Sequence, residues 1–171
     1  PGMLEGFNPA SAESYDKMIA HPERALLVWD TGAICGLAML ALEVAKSDGV
    51  IIEDYGKQAI TQEVVDLILG KASKRKIPVG LDPKEGHELN LDGITVATPN
   101  RREAFLIAGM ADPGAKENPL RDKALQKTAS ILMEKWGLEY LAITLGPQGM
   151  YLSSRGRVTR HVPTRAREVF D

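Results

Sequence analysis

Gly49-Val50-Ile51-Ile52-Glu53-Asp54 decides the fold. The run is rich in β-branched residues and too short for a helix, so it reads as a buried strand. After it, Thr61 can cap a helix in which Val64, Leu67, Ile68 and Ala72 share one face. That helix ends in Lys71, Lys74, Arg75 and Lys76. The cluster suits a helix C-terminus, where positive charge complements the dipole, better than it suits a nucleic-acid patch. Pro78-Val79-Gly80-Leu81-Asp82 is the next strand. Continuous apolar strands separated by amphipathic helices imply an α/β fold with a mainly parallel sheet covered on both faces.

The pattern extends in both directions. Downstream, Ile94 to Ala97 reads as a strand, Asn100 to Gly109 as a short helix, and Asp112-Pro113-Gly114 as a break. Leu120 to Trp136 is the clearest helix, with Leu125, Ala129, Leu132 and Trp136 in one stripe. Leu141 to Thr144 follows as a strand, and Gly149 to Ser153 with Val158 to Val162 reads as a C-terminal β-hairpin. Upstream, Leu37, Leu40, Ala41 and Val44 recur at helical spacing, Ala25 to Trp29 reads as a strand, and Ser11 to Ile19 as a short helix.

Composition narrows the function classes. The chain has 171 residues, 44% of them hydrophobic and 26% charged, with a formal charge of −2. That charge gives no field to recruit nucleic acid or an anionic membrane, and the sparse aromatics offer no base-stacking platform. Cys35 is the only cysteine, so no internal disulfide can form, and it reads as a buried, inert thiol. The apolar run Ala33 to Leu42 is too short to span a bilayer and Pro1-Gly2-Met3 opens no signal peptide, so the cytoplasm is expected. His21, His87 and His161 have no metal-ligand spacing. No strand is followed by Gly-x-Gly-x-x-Gly, which argues against a dinucleotide-binding oxidoreductase.

Polar or glycine-rich residues stand at the ends of four strands, where parallel sheets bind ligands. Each carries two readings. Asn100 and Glu103 match a reciprocal helix cap, which spacing alone favours, although their oxygens are also of the kind that Mg²⁺ takes. Thr144-Leu145-Gly146-Pro147-Gln148-Gly149 is a turn into a hairpin, or a backbone cradle for phosphate in which Pro147 offers no N–H. Asp54-Tyr55-Gly56-Lys57 and Asp82-Pro83-Lys84 are ordinary turns, or a rim whose lysines neutralise phosphate.

Taken in order with Thr98-Pro99-Asn100-Arg101-Arg102-Glu103 and the final Val169-Phe170-Asp171, these segments resemble the ribokinase-like (PfkB) carbohydrate kinases. Within that family they are most similar to the heptose-7-phosphate kinase domains of bacterial ADP-heptose synthesis. The resemblance covers residues 47–171, whereas residues 1–46 match poorly. It implies a ribokinase-like three-layer sandwich and ATP-dependent phosphorylation of a sugar phosphate, with ATP and Mg²⁺ as cofactors. It places Asn100, Arg101, Arg102, Glu103, Thr144, Gly146, Gly149 and Asp171 at the nucleotide, with Glu103 reaching the metal through water. Asp54, Lys57, Asp82 and Lys84 fall at substrate or phosphate. Gln58 and Glu85 stand where the family pattern has glycine. The family's catalytic base belongs to a Thr-Gly-Ala-Gly-Asp loop that none of these residues matches, so the chain reads as a partial domain, inactive alone. The partner expected is a small sugar phosphate, with no nucleic acid or membrane, and the resemblance leaves a homodimer open. The alternative is a non-catalytic nucleotide-binding or interaction module derived from a kinase.

Overall fold

The computed structural model describes residues 25–29, 37–84, 86, 89–156 and 159–164. The expected helix at Ser11 to Ile19, Cys35, Glu85, His87 and Asp171 lie outside the described residues. The chain runs β1 (Ala25–Trp29), α1 (Leu37–Lys46), β2 (Gly49–Glu53), α2 (Gln62–Arg75), β3 (Val79–Asp82), β4 (Val96–Ala97) and α3 (Arg101–Ile107). It continues through α4 (Lys123–Lys135), β5 (Tyr140–Thr144), β6 (Met150–Ser154) and β7 (Arg160–Val162).

The seven strands among the described residues join one sheet in chain order. β1 to β5 pair in parallel, and β6 and β7 add an antiparallel hairpin at the edge. Strands laid down in sequence with right-handed crossovers put their helices on the same face. The packing agrees: Val44, Val64, Ile68, Phe105, Leu125 and Leu132 from the four helices share one core with Ile52, Leu81, Leu141 and Ile143. The opposite face carries Val96, Tyr140 and Ala142 with Ile51, Met150 and Leu152, a cluster of strand residues alone. The described residues thus supply two of the three expected layers.

Local chemistry sets most boundaries. Thr61 caps α2, its Oγ1 accepting the Val64 N–H at 3.4 Å. The basic cluster closes that helix, and Arg75 donates to the Val44 and Ser47 carbonyls at the end of α1. Val65 joins Val64, Ile68 and Ala72 in the core, whereas Leu67 is only partly buried. Two boundaries differ from the sequence expectation. β4 holds only Val96 and Ala97, because Gly93 turns at φ 103° and the Ile94 N–H closes back on the Leu91 carbonyl. The helix expected from Leu120 begins at Lys123: Pro119–Arg121 form a separate 3₁₀ turn, and Asp122 is the cap, accepting the Leu125 N–H at 3.1 Å.

Gly149 is fixed by the hairpin. It holds φ 89°, and a Cβ there would sit 2.1 Å from the Val162 carbonyl oxygen and 2.6 Å from the Thr164 nitrogen. Gly149→Ala is expected to cost at least the ~1–3 kcal/mol typical of a strained backbone position and to detach β7. Urea denaturation of the variant, with amide exchange at Arg160 to Val162, measures both effects.

Candidate functional site

The carboxyl ends of β2 to β5 form one rim. Its centre is the β4-to-α3 junction. Asn100 Oδ1 accepts the Glu103 N–H at 2.9 Å, and Glu103 Oε2 accepts the Asn100 N–H at 3.0 Å, a complete capping box. Asn100 also bridges in parallel to Thr144, and the Thr144 N–H reaches the Pro99 carbonyl at 3.0 Å. The Asn-x-x-Glu segment and the Thr144 turn are therefore neighbours.

On the β3 side, Lys84 Nζ lies 3.2 Å from Glu103 Oε1. Asp82, ending β3, accepts the Thr98 hydroxyl at 3.2 Å. Burial pushes the Asp82 carboxyl above its usual range; the Thr98 hydrogen bond opposes this, Glu103 and Glu53 add to it, and Lys84 opposes it. On the β2 side, Glu53 and Asp54 are buried. The Asp54 N–H pairs with the Asp82 carbonyl at 3.1 Å, and Asp54 Oδ1 accepts the Gly56 N–H at 2.8 Å. Lys57 is exposed, and Gln58 adopts φ 68°, a left-handed conformation that explains glycine in the family pattern.

The expected nucleotide residues separate in space and role. Asn100, Glu103, Thr144 and Gly146 gather at the rim, and Gly146, at φ 57°, faces open space where a Cβ would point. Gly149 donates its N–H to the Gly146 carbonyl at 2.9 Å, so its amide closes the turn. Arg101 turns to its own fold: it grips Asp112 at 2.8 and 2.7 Å, reaches Asp122 at 2.9 Å, and stacks 4.7 Å from the Phe105 ring centre. Asp112 above all, and Asp122, raise its already high pKa against the opposing effect of burial, and Arg101 in turn holds the Asp112 carboxyl below the usual range. Arg102 is exposed beside the capping box.

Thr98 is a rim residue whose role sequence reasoning missed, although it opens the quoted Thr-Pro-Asn motif. Asp122 carried a usable signal, an acidic residue before a helical stripe. Among the described residues, no group of three or more His, Cys, Asp or Glu side chains is arranged to hold a metal ion directly. The hard oxygens of Glu103, Asp82 and Thr98 instead suit Mg²⁺ that keeps most of its water and meets protein through it. Beside Asp54 and Lys84 a groove of about 650 Å³ descends between the helices over Leu81, Leu89, Leu106 and Trp136. Its floor is apolar, and Asp54, Lys84, Asn90 and Lys135 stand among its lining residues.

The model of the pfkB family carbohydrate kinases matches residues 30–171. The chain belongs to this family. It is 36% identical over 160 residues to the bifunctional protein HldE of Pelobacter propionicus and, equally, to that of Trichlorobacter lovleyi. Each match covers 93% of this chain and 29% of the relative, so the chain spans under a third of those proteins. Among solved structures, Arabidopsis thaliana ribokinase complexed with ribose and ATP aligns with a TM-score of 0.61 at 20% identity, over 78% of this chain and 40% of that one. Escherichia coli phosphofructokinase-2 in complex with fructose-6-phosphate aligns at 0.60 and 16% identity, over 78% and 44%. These neighbours establish a ribokinase-like fold. Among the described residues no helix is long and apolar enough to cross a membrane.

The raised Asp82 pKa has a signed consequence. Native Asp82 binds protons more tightly than the unfolded chain, so its favourable contribution is full below the unfolded value of 3.8 and is lost as pH rises through the higher folded value. Asp82→Asn should therefore gain stability over the parent at pH 7 and lose that advantage toward pH 3.5. Paired thermal melts across this range test the sign.

Proposed function

We propose that this chain carries the phosphate-binding rim of a sugar kinase whose acceptor is a sugar phosphate, heptose 7-phosphate in the first place, and whose donor is ATP with Mg²⁺. One observation carries the reading: the capping-box carboxylate of Glu103, the Lys84 ammonium and the Thr144–Gly146 turn meet on adjacent strand ends. Identity to HldE proteins over most of the chain favours the heptose acceptor. A nucleotide-using enzyme of this kind suits the cytoplasm.

In the reaction the acceptor hydroxyl oxygen takes the γ-phosphoryl group, ADP leaves, and the hydroxyl proton passes to a base. Bound Mg²⁺ would neutralise charge on the polyphosphate. Lys84 adds a second positive charge on the β3 side, and Lys57 offers one above β2. Gly146 lets the backbone approach the nucleotide closely, and the Thr144 hydroxyl donates to it. Asp54 and Asp82 border the acceptor side, and Asp171 is assigned beside the nucleotide. Arg102 is assigned to phosphate by the resemblance, whereas Arg101 is committed to Asp112 and Asp122.

None of the 171 residues matches the family's catalytic base, so the isolated chain should show no heptose-phosphate kinase activity in a coupled ADP-release assay. Removing a general base typically costs about 10²- to 10⁴-fold. Turnover near that of an intact kinase would refute the reading of this chain as a partial domain inactive alone and leave the kinase reading standing. A non-catalytic nucleotide-binding module shares this rim, and differs by staying inactive within the full-length protein too. Glu103→Gln separates cap from metal function: it preserves the cap while removing the charge. Melting temperature should hold while Mg²⁺-ATP binding by calorimetry weakens; unchanged affinity would leave Glu103 as a cap alone.

A further inference from the structure

Glu103 is buried, and each carboxylate oxygen already has a partner. Oε2 belongs to the Asn100 N–H of its own helix cap, and Oε1 belongs to Lys84, which reaches it from the end of β3. The two contacts differ in permanence. The cap is local, three residues apart, and closes the first turn of α3. The Lys84 contact spans 19 residues, and its side chain is 41% exposed against 10% for Glu103. The stem of Lys84 crosses over Gly56, where an added Cβ would lie 3.5 Å from its Cγ. The lysine thus reaches from the β2 side to the β4 side of the rim, and its charged end is the solvent-facing member of the pair. The exposed ammonium is therefore the member another anion can reach, and the buried carboxylate is the member left at a cost without its partner.

We infer that Lys84 is a displaceable counter-ion that couples phosphate binding to Mg²⁺ binding at the rim. This rests on the kinase reading above. With the rim empty, Lys84 neutralises Glu103 and competes with any cation for Oε1. A polyphosphate is a stronger partner for the ammonium, with several acceptor oxygens. It draws Lys84 away and leaves Glu103 as an uncompensated buried carboxylate, which then favours a hydrated Mg²⁺. Each ligand therefore improves the site for the other, beyond their direct contact, and the coupling is reciprocal. Lys84 acts as a positioning residue for Glu103 as much as a phosphate contact.

Calorimetry on the 171-residue chain with ADP alone, Mg²⁺ alone and ADP in saturating Mg²⁺ tests this, using the parent, Lys84→Met and Lys84→Arg. In Lys84→Met, Mg²⁺ alone should bind more tightly, ADP alone more weakly, and the gain in ADP affinity from Mg²⁺ should shrink at least about five-fold, the lower end of typical coupling. Lys84→Arg should restore most of that gain. A purely structural role would weaken both ligands together and leave the ratio unchanged, and that result overturns the inference while leaving the kinase reading intact. Failure of the parent to bind ADP with Mg²⁺ would overturn both. Thermal melts of each variant confirm that folded protein is compared.

Discussion

The reciprocal bond between Asn100 and Glu103 is the constraint on which the rim depends. It starts α3, which three residues separate from β4, pairing N–H groups of the first turn that would otherwise be left without partners. Because Asn100 also bridges to Thr144, the same junction fixes how far β5 extends before its turn. Glu103 then presents a buried negative charge at the positive end of a helix, where such charge is favoured. Capping and ligand chemistry are compatible here because a carboxylate oxygen has more than one lone pair to offer.

A second set of charges holds this junction from behind. Arg101, the first residue of α3, clamps Asp112 in the following connection and Asp122 at the cap of α4. Asp122 is almost wholly buried and serves both Arg101 and the Leu125 N–H. A fork-shaped guanidinium suits this task, since it meets two carboxylates at fixed angles while lying over Phe105. Adjacent residues of one motif thus differ in burial: Arg101 is held against the scaffold, whereas Arg102 is exposed.

Much of the architecture is legible in the sequence because parallel strands buried on a helix-covered face read as apolar runs, and the helices between them keep a helical stripe. The strand ends are legible for the same reason, since polar residues at the close of such runs have nowhere to go but the rim. What the sequence hides is pairwise. Arg101 reads as a motif residue, and nothing local announces that Asp112 and Asp122 will converge on it from 11 and 21 residues away. Gly149 reads as a phosphate glycine, yet its lack of a side chain answers to the Val162 carbonyl, a contact made only once the hairpin closes. The Lys84–Glu103 pair is hidden likewise, because both residues have sound local explanations.

The strands stand in the sheet in the order in which the chain makes them, and this turns the rim into a line of text. Asp54, Lys84, Asn100 and Thr144 follow one another in space as they do in sequence, spread over three strand spacings, or about 14 Å at ~4.8 Å each. Each position is supplied by one strand and its following loop, and contacts such as Lys84–Glu103 then tie neighbouring positions together. Changing the connection after β3 would edit the Lys84 position and leave the Thr144 turn as it was. The rim can thus be rewritten at one strand end while its neighbours keep their places in the line.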